Sequence, residues 1–488
     1  VRTLAPALAI AAAFALCLAA HAAAALGAHT PNFFDGALFL LQPLYAAQGL
    51  TPYRDYAFLY PPGAALLFGE WLGLSTPEAV RAVHWSLVLA LALAQAALFA
   101  RQSRAAAALS LLLSAAIALF WGEMGVEALT PHLAALLLLV LLQPAPPVRL
   151  AGIAALAAAA MLFRWDRPLA TGLVLAALAF AWPRALAAPA LAVLAGCALG
   201  AAAILLHAWH HSAVAQAWEA IVAIPFATLP FRRLPIPWTA NPLAYEFQFL
   251  AAPAALALLA IAAWRHRAAP PAQPTPPAYR VLLPVLPLAL LPYATGRADA
   301  PHALPLSLLA ATAAIAALAA WPARRLAAAA LLLAILPLAP QALRIATTLG
   351  PPGHADRTAA GWTAGCTPLF PAEARALLVG QASYASYLTN IPLFHLARPD
   401  LRPAGRFLSD EPGLQSACRW GADIATHLAA APRPLLALLD TAPQPAEPNA
   451  TATMQSCGAI ETALAAMPHR VLGHCPFAGR KLELRQYD

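Results

Sequence analysis

Five stretches of this chain gather carboxylates, guanidinium groups and aromatic rings within a sequence otherwise poor in charge. The first runs from His29 to Gly63, HTPNFFDGALFLLQPLYAAQGLTPYRDYAFLYPPG, and holds Asp35, Arg54, Asp55 and the tyrosines Tyr53, Tyr56 and Tyr60. The second, WGEMGVEALTPH, carries Glu123, Glu127 and His132. The third, FRWDRP, sets Arg164, Asp166 and Arg167 between two apolar segments. The fourth, from His210 to Glu246, contains the His210–His211 doublet, Trp218, Glu219, Arg232 and Arg233. The fifth, YATGRADAPHALP, carries Arg297, Asp299 and His302. Guanidinium groups grip phosphate in a bidentate fork, and a carboxylate can take a proton from a hydroxyl. Tyr and Trp rings suit sugar faces and lipid headgroups. Arginines beside a few acids therefore fit a phosphate-bearing ligand and a base.

Other chemistries lack their residues. No G-x-x-x-x-G-K-[ST] phosphate loop occurs, and GEMGVE, flanked by apolar segments, is no dinucleotide fingerprint. No H-E-x-x-H occurs, and the histidine doublet stands too isolated in the sequence to assign a metal, so no residue is given that role. The net charge of +8 comes from arginines spread thinly between apolar runs, so nucleic acid is not an expected partner.

The elements that must position these groups are membrane helices. Apolar residues make up 61% and charged residues 10% of the 488, with mean hydropathy +0.68, whereas soluble domains carry roughly 25% charged residues. Apolar segments at Leu4–Gly27, Val80–Ala100, Ala105–Trp121, Pro131–Gln143, Leu150–Phe163, Pro168–Trp182, Leu186–Ala208, Gln248–Trp264, Val281–Ala294, Ala303–Trp321 and Leu326–Leu343 predict about eleven transmembrane helices. Several are short of the ~20 residues of a full span. The first is longer than the core of a cleaved signal peptide and predicts a retained helix. Alternate connections, RQSR, PAPPVRL, PRA, RHRAAPPAQPTPPAYR and PARR, carry Arg and no acid. The positive-inside rule puts them, with Arg2, in the cytoplasm, and every carboxylate before residue 345 then falls on the outer face. The segment 61–75, PPGAALLFGEWLGLS, opens with Pro-Pro and contains Glu70, and predicts an interfacial or re-entrant helix on that face.

Taken singly, the polar stretches have plain structural explanations. Asp35 can cap a helix, PYRDY can be an interfacial belt with a surface ion pair, RWDRP a snorkelling pair and GRADAPH a turn. Their common face points to a site, because ionisable groups near membrane depth are costly and tend to face a cavity.

A first helix, a long outer loop with an acid near its start, then GLTPYRDY and YPPG, together with FRWDRP and GRADAPHALP, resembles the bacterial GT-C glycosyltransferases. These multi-span enzymes use polyprenyl-phosphate sugars, as the protein mannosyltransferases and lipid A aminoarabinose transferases do. The resemblance implies an all-α polytopic membrane domain over residues 1–344 and sugar transfer from a polyprenyl-phosphate donor to a lipid, glycan or protein acceptor of the envelope. It implies Asp35, by position, as the base or as the carboxylate that orients the acceptor hydroxyl. Contacts to the donor phosphate and substrate are expected, from charge and side, of Arg54, Asp55, Tyr56, Tyr60, Arg164, Asp166, Arg297, Asp299 and His302, with Arg232 and Arg233 in reserve. Where the family often has adjacent acids at the start of this loop, the chain has Asp35 alone, so a divalent cation, held by Asp55 or Asp166, stays open as cofactor. Two readings from other classes also stay open: a transporter or flippase of lipid-linked sugars, which would show similar halves and broken helices, and a structural subunit of an envelope complex.

After Leu343 the composition turns polar, and residues 345–488 predict a small extracytoplasmic α/β domain, with strands at 434–440 and 481–487 and a helix at Met454–Met467. Cys366, Cys418, Cys457 and Cys475 lie there and predict two disulfides in an oxidising compartment, with three possible connectivities. Lysine is confined to Lys481 amid abundant Ala, Arg and Pro, which fits GC-rich bacterial coding. The expected location is the bacterial inner membrane, multi-pass, with the C-terminal domain periplasmic.

Overall fold

The computed structural model of the chain describes residues 4–29, 35–56, 60–121, 129–143, 147–226, 242–265, 277–296, 300–321, 323–336, 349–380, 391–405, 421–440, 459–477 and 480–488. Ala and Leu are strong helix formers, and a helix satisfies its own backbone polar groups in lipid. The apolar part accordingly folds as α1 (Leu4–Ala25), α2 (Asp35–Ala47), α3 (Pro77–Ala100), α4 (Arg104–Trp121), α5 (Leu129–Leu141), α6 (Pro147–Phe163), α7 (Asp166–Ala179), α8 (Pro183–His210), α9 (Val214–Trp218), α10 (Pro242–Arg265), α11 (Pro277–Val285), α12 (Leu291–Gly296), α13 (Ala300–Ala320) and α14 (Arg324–Ile335). Ala7–Ala25, Pro77–Ala100, Pro183–His210 and Ala303–Ala320 are long and apolar enough to cross a membrane. The other expected segments contain helix too, over 24 residues in α10, 18 in α4 and 17 or fewer in the rest.

Local signals set several boundaries. Thr76 caps α3, accepting the Ala79 N–H at 3.2 Å, with Pro77 at the first helical position and Glu78 in the first turn. The segment Val281–Ala294, expected as one helix, is instead α11, a 3-10 turn at Pro287–Leu290 and α12. Pro284, Pro287 and Pro292 remove backbone donors and crowd the preceding turns. The span expected to end at Leu343 is described as helix only to Ile335, and 337–348 lie outside the described residues. Asp35–Ala47, read within a loop, is a helix that leads into a π-helical turn at Ala65–Trp71, inside the stretch expected to be interfacial.

Packing follows side-chain size. Gly196 and Gly200 on α8 sit against α6, where a Cβ on Gly196 would run into the Ala154 carbonyl and one on Gly200 would lie 2.5 Å from the Met161 Cβ. Small residues four apart let two membrane helices approach closely. The α13 span is 83% buried, against 28–39% for the other three long spans, so it forms the centre of the bundle.

Beyond the bundle, α15 (His354–Thr363), α16 (Ile391–Ala397), α17 (Gly421–Ala430) and α18 (Ala459–Ala465) accompany a mixed five-stranded sheet. Its strands are β1 (Ala376–Gly380), β2 (Arg402–Pro403), β3 (Leu435–Asp440), β4 (Arg470–Phe477) and β5 (Arg480–Tyr487), in the order β2-β1-β3-β5-β4. β1 is parallel to β2 and β3, and β5 is antiparallel to β3 and β4. β3 is covered on both faces, hence its unbroken apolar run. Leu436 and Leu438 pack with Phe394, Phe477 and the Cys366–Cys475 disulfide. Leu435, Ala437 and Leu439 pack with Leu428, Leu464 and Ile224. The expected helix at Met454–Met467 is described over Ala459–Ala465. Of the two expected disulfides, Cys366–Cys475 is present, while Cys418 and Cys457 lie outside the described residues.

This unit packs against the bundle at the end that holds the C-terminus of α1 and the N-terminus of α3. Gly350, Gly353 and Ala355 donate backbone N–H bonds of 2.8–2.9 Å to the Ala28, Leu26 and Gly27 carbonyls. Arg81, buried at the start of α3, pairs with Asp356 at 2.6 Å. Gln48 Nε2 donates to the Pro399 carbonyl at 2.9 Å, and His395 on α16 meets the Tyr45 ring of α2 edge-on at 5.9 Å.

Candidate functional site

Asp35 is the first residue of α2. One turn on, Phe39 stacks against Tyr60, with centroids 5.8 Å apart and planes 28° apart. The Arg164 guanidinium lies 4.4 Å from the centroid of the Tyr60 ring, within range of a cation–π contact. Arg164 then reaches Asp166, Nε to Oδ1 at 3.3 Å and Nη2 to Oδ2 at 3.5 Å. The chain thus joins α2, in the segment after α1, to FRWDRP through one aromatic and ionic stack. Gly63 makes the join possible, because a Cβ there would lie 2.5 Å from the Leu162 carbonyl oxygen.

Arg164 and Arg167 are both buried and line a small open pocket with Thr130, Leu137, Pro168 and Thr171. Arg167 donates to the Thr130 hydroxyl. Burial pushes the Asp166 carboxyl up, but the Arg164 and Arg167 guanidiniums outweigh it and hold the group below the usual carboxylate range. Arg164 and Arg167 thus set two buried guanidinium groups at the pocket beside the Asp166 carboxylate, the groups that grip phosphate.

The turn Thr51–Tyr56 answers for the density of polar groups in the first loop. Asp55 Oδ2 accepts the Thr51 N–H at 2.7 Å, and Arg54 forks onto the same carboxylate at 3.0 and 2.9 Å. Burial raises the Asp55 carboxyl, while the hydrogen bonds from Arg54 and Thr51 lower it further and hold it below its ordinary value. Tyr53 adopts φ 69°, an unusual conformation for a bulky residue. Its N–H donates to the Tyr56 carbonyl and its hydroxyl to the Tyr60 carbonyl, both at 2.8 Å. Tyr56 is fully buried, its hydroxyl donating to the Gln42 carbonyl at 3.3 Å and its ring 5.3 Å from Tyr45. Tyr53 packs against Ile204, Ala208 and Ala217 of α8 and α9, Tyr56 packs against Leu41 and Tyr45 of α2, and Tyr60 is the one of the three stacked against Arg164.

Arg297 and Asp299 lie outside the described residues, as do Glu123, Glu127, Arg232 and Arg233. His302 falls in the first turn of α13. His132 is buried in α5, its carbonyl accepting from Gln95 Nε2 at 3.0 Å.

The fold also assembles a group that sequence reasoning passed over. Glu70, from the π-helical turn, meets His207 and His211 at the end of α8, with ligand atoms all within 4.8 Å of one another. His207 Nε2 is buried with no hydrogen-bond partner and faces Glu70 Oε1 at 3.6 Å. The His211 Nδ1 stands 3.4 Å from the Thr51 hydroxyl. Burial pushes the Glu70 carboxyl above its usual range, a shift that a bound cation would reverse. One carboxylate and two imidazoles fit a zinc-like divalent ion. The signal was the H-x-x-x-H spacing from His207 to His211, which sets both rings on one helix face, rather than the adjacent doublet.

No family model matches the chain, and no curated protein matches it. Among solved structures it is similar to ArnT from Cupriavidus metallidurans bound to undecaprenyl phosphate, with a TM-score of 0.50 and 12% identity over 98% of this chain and 97% of that one. At that identity the likeness is one of fold. It extends along almost the whole of both chains, so the chain shares the overall fold of that structure.

Proposed function

We propose that the chain is a glycosyltransferase that moves a sugar from a polyprenyl-phosphate donor to an envelope acceptor at the outer face of the bacterial inner membrane. In this reading residues 1–344 are the multi-pass catalytic domain, with about eleven transmembrane helices, and 345–488 a periplasmic α/β domain. The observation that supports it most is the Phe39–Tyr60–Arg164–Asp166 stack, which sets a buried guanidinium beside a pocket and ties it to the helix that Asp35 opens. The likeness in fold to ArnT, a protein bound to undecaprenyl phosphate, supports the donor class.

In the reaction Asp35 takes the proton of the acceptor hydroxyl, or orients it, as the oxygen attacks the anomeric carbon. The bond from that carbon to the donor phosphate oxygen breaks, and its electron pair leaves on polyprenyl phosphate. Arg164 and Arg167 meet the growing phosphate charge from fixed positions, which costs no reorganisation at the moment of transfer. Asp166 aims Arg164, and Asp55 aims Arg54. Arg297, Asp299 and His302 complete the donor contacts. Glu70, His207 and His211 would hold a divalent ion that pins the first loop to α8.

The test uses the purified full chain, polyprenyl-phosphate sugars extracted from bacterial membranes and an envelope fraction as acceptor. Asp35→Asn is expected to lower transfer by about 10²–10⁴-fold while the protein still folds and binds donor lipid. Arg164→Gln is expected to weaken donor binding. Unchanged transfer in both variants refutes the assignment, and sugar-lipid translocation without transfer would favour the transporter class.

A further inference from the structure

The arginine-bearing end of the bundle carries a second pocket, a shallow open groove between the α3–α4 turn, the end of α5, the start of α11 and the end of α13. Its wall is apolar, with Leu139, Leu142, Leu283 and Ala320, and its rim is polar, with Gln102, Gln143, Tyr279 and Arg280. The wall is braced from behind by Arg149, a buried residue of α6. Its Nε donates to the Val140 carbonyl at 2.9 Å and its Nη2 to the Leu141 carbonyl. These lie in the last turn of α5, where helix carbonyls lack intrahelical partners. The same Nη2 donates to the Tyr279 hydroxyl at 3.3 Å, and the guanidinium lies 5.8 Å from that ring's centroid. One buried cation therefore ties α5, α6 and α11 together behind the groove.

The connections whose described ends lie here, 101–104, 144–150, 265–280 and 322–325, carry arginine and no Asp or Glu in sequence. A phosphate at the rim would meet amide, hydroxyl and guanidinium groups, and an acyl chain would follow the leucines. The amine of a zwitterionic headgroup would find no carboxylate from these connections. Basic pockets between membrane helices are suited to anionic lipid headgroups.

We propose that this pocket binds an anionic phospholipid, its phosphate on Arg280, Gln102 and Gln143 and one acyl chain along Leu139, Leu142 and Leu283. The proposal is independent of the transferase reading. It is tested on the purified full chain in mild detergent with photoactivatable phosphatidylglycerol and phosphatidylcholine, the labelled peptides being mapped by mass spectrometry. Phosphatidylglycerol should label 139–143 or 279–283 about ten-fold more than phosphatidylcholine, roughly what one charge-assisted hydrogen bond contributes, and inorganic phosphate should not displace it. Ala320→Phe, which fills the groove and leaves every charge in place, should cut that labelling by about the same factor, and Arg280→Gln should erase the preference between the lipids. Equal labelling by both lipids, labelling confined to other segments, or displacement by inorganic phosphate overturns the proposal. Each of these is read on the unaltered protein, so a misfolded variant does not shelter it.

Discussion

Gly63 closes the loop that follows α2, and a methyl group added there has no room. Its Cβ would lie 2.5 Å from the Leu162 carbonyl oxygen, 2.8 Å from the carbonyl carbon and 3.2 Å from the Phe163 ring. The two nearest atoms are backbone, so relief requires the loop or the end of α6 to move by roughly 1 Å to restore an ordinary contact near ~3.5 Å. Overpacking of this kind costs about 1–3 kcal/mol. The pieces that move are Tyr60, on one side, and Arg164, next in the chain after Phe163, on the other, now 4.4 Å apart. A misplacement of ~1 Å in a site that works by positioning can lower a rate about 10²-fold. Gly63→Ala should therefore lose transfer activity by about 10–100-fold, more than its loss of stability would account for. Gly152→Ala on the same helix is the control, because its Cβ meets nothing within 4 Å. It should be neutral, or more stable by about 0.5–1 kcal/mol. The assay pairs thermal unfolding in detergent with initial rates of sugar transfer. A Gly63→Ala protein with the Tm and rate of the parent would refute the view that this contact sets the Tyr60–Arg164 geometry.

Burial lowers the His395 pKa to about 4, the Leu401 backbone partly opposing it. The unfolded chain therefore takes up this proton first, near ~6.5. Stability should fall as pH drops from there towards 4, by up to ~3 kcal/mol at the low end. His395→Phe should flatten that dependence in Tm measured from pH 7.5 to 4.5, and an unchanged slope would count against it. The Cys366–Cys475 bridge closes a separation of 109 residues, so Cys475→Ala or reduction should lower stability by about 2–5 kcal/mol, read as a lower Tm with reductant. Protein dialysed against zinc and then against buffer should retain about one ion per chain by elemental analysis, the stoichiometry of a single three-ligand site. His207→Ala or a chelator should remove it, and ~100 Kd of free zinc should raise stability by about 2.7 kcal/mol; retention undiminished in His207→Ala would discard the site.

The membrane helices were legible because composition decides them: runs of Ala and Leu with few charges have no other stable place. What misled was local chemistry inside those runs. Pro284, Pro287 and Pro292 sit in a segment whose hydropathy is that of one helix, yet each breaks the backbone ladder. Conversely Asp35–Ala47 lay hidden because Pro43 and the polar neighbours on either side made it look like loop. In the C-terminal unit β3 and β5 were readable, but β1, ALLVG, is as compatible with helix as with strand until β3 pairs with it.

For the site, the sequence supplied candidates without saying which of them are occupied by one another. Tyr53, Tyr56 and Tyr60 are the same residue type within one turn-rich stretch, and type alone nominates all three. Tyr53 and Tyr56 have their hydroxyls turned to backbone carbonyls and their rings buried, so replacing either acts first on the loop's fold. Tyr60 uses its ring on Arg164, a residue far along the chain, and no spacing rule connects the two. The connection is made by an absence of atoms: Gly63 lets the loop backbone rest on the Leu162 carbonyl, which brings Tyr60 to the guanidinium beside it. The same holds for Glu70, whose partners on α8 become partners only once the first loop has settled against the bundle. Which carboxylates and cations act together is thus decided by the packing of residues that have no chemistry of their own, and a glycine substitution probes that packing more directly than removal of a charge, because it leaves every functional group in place.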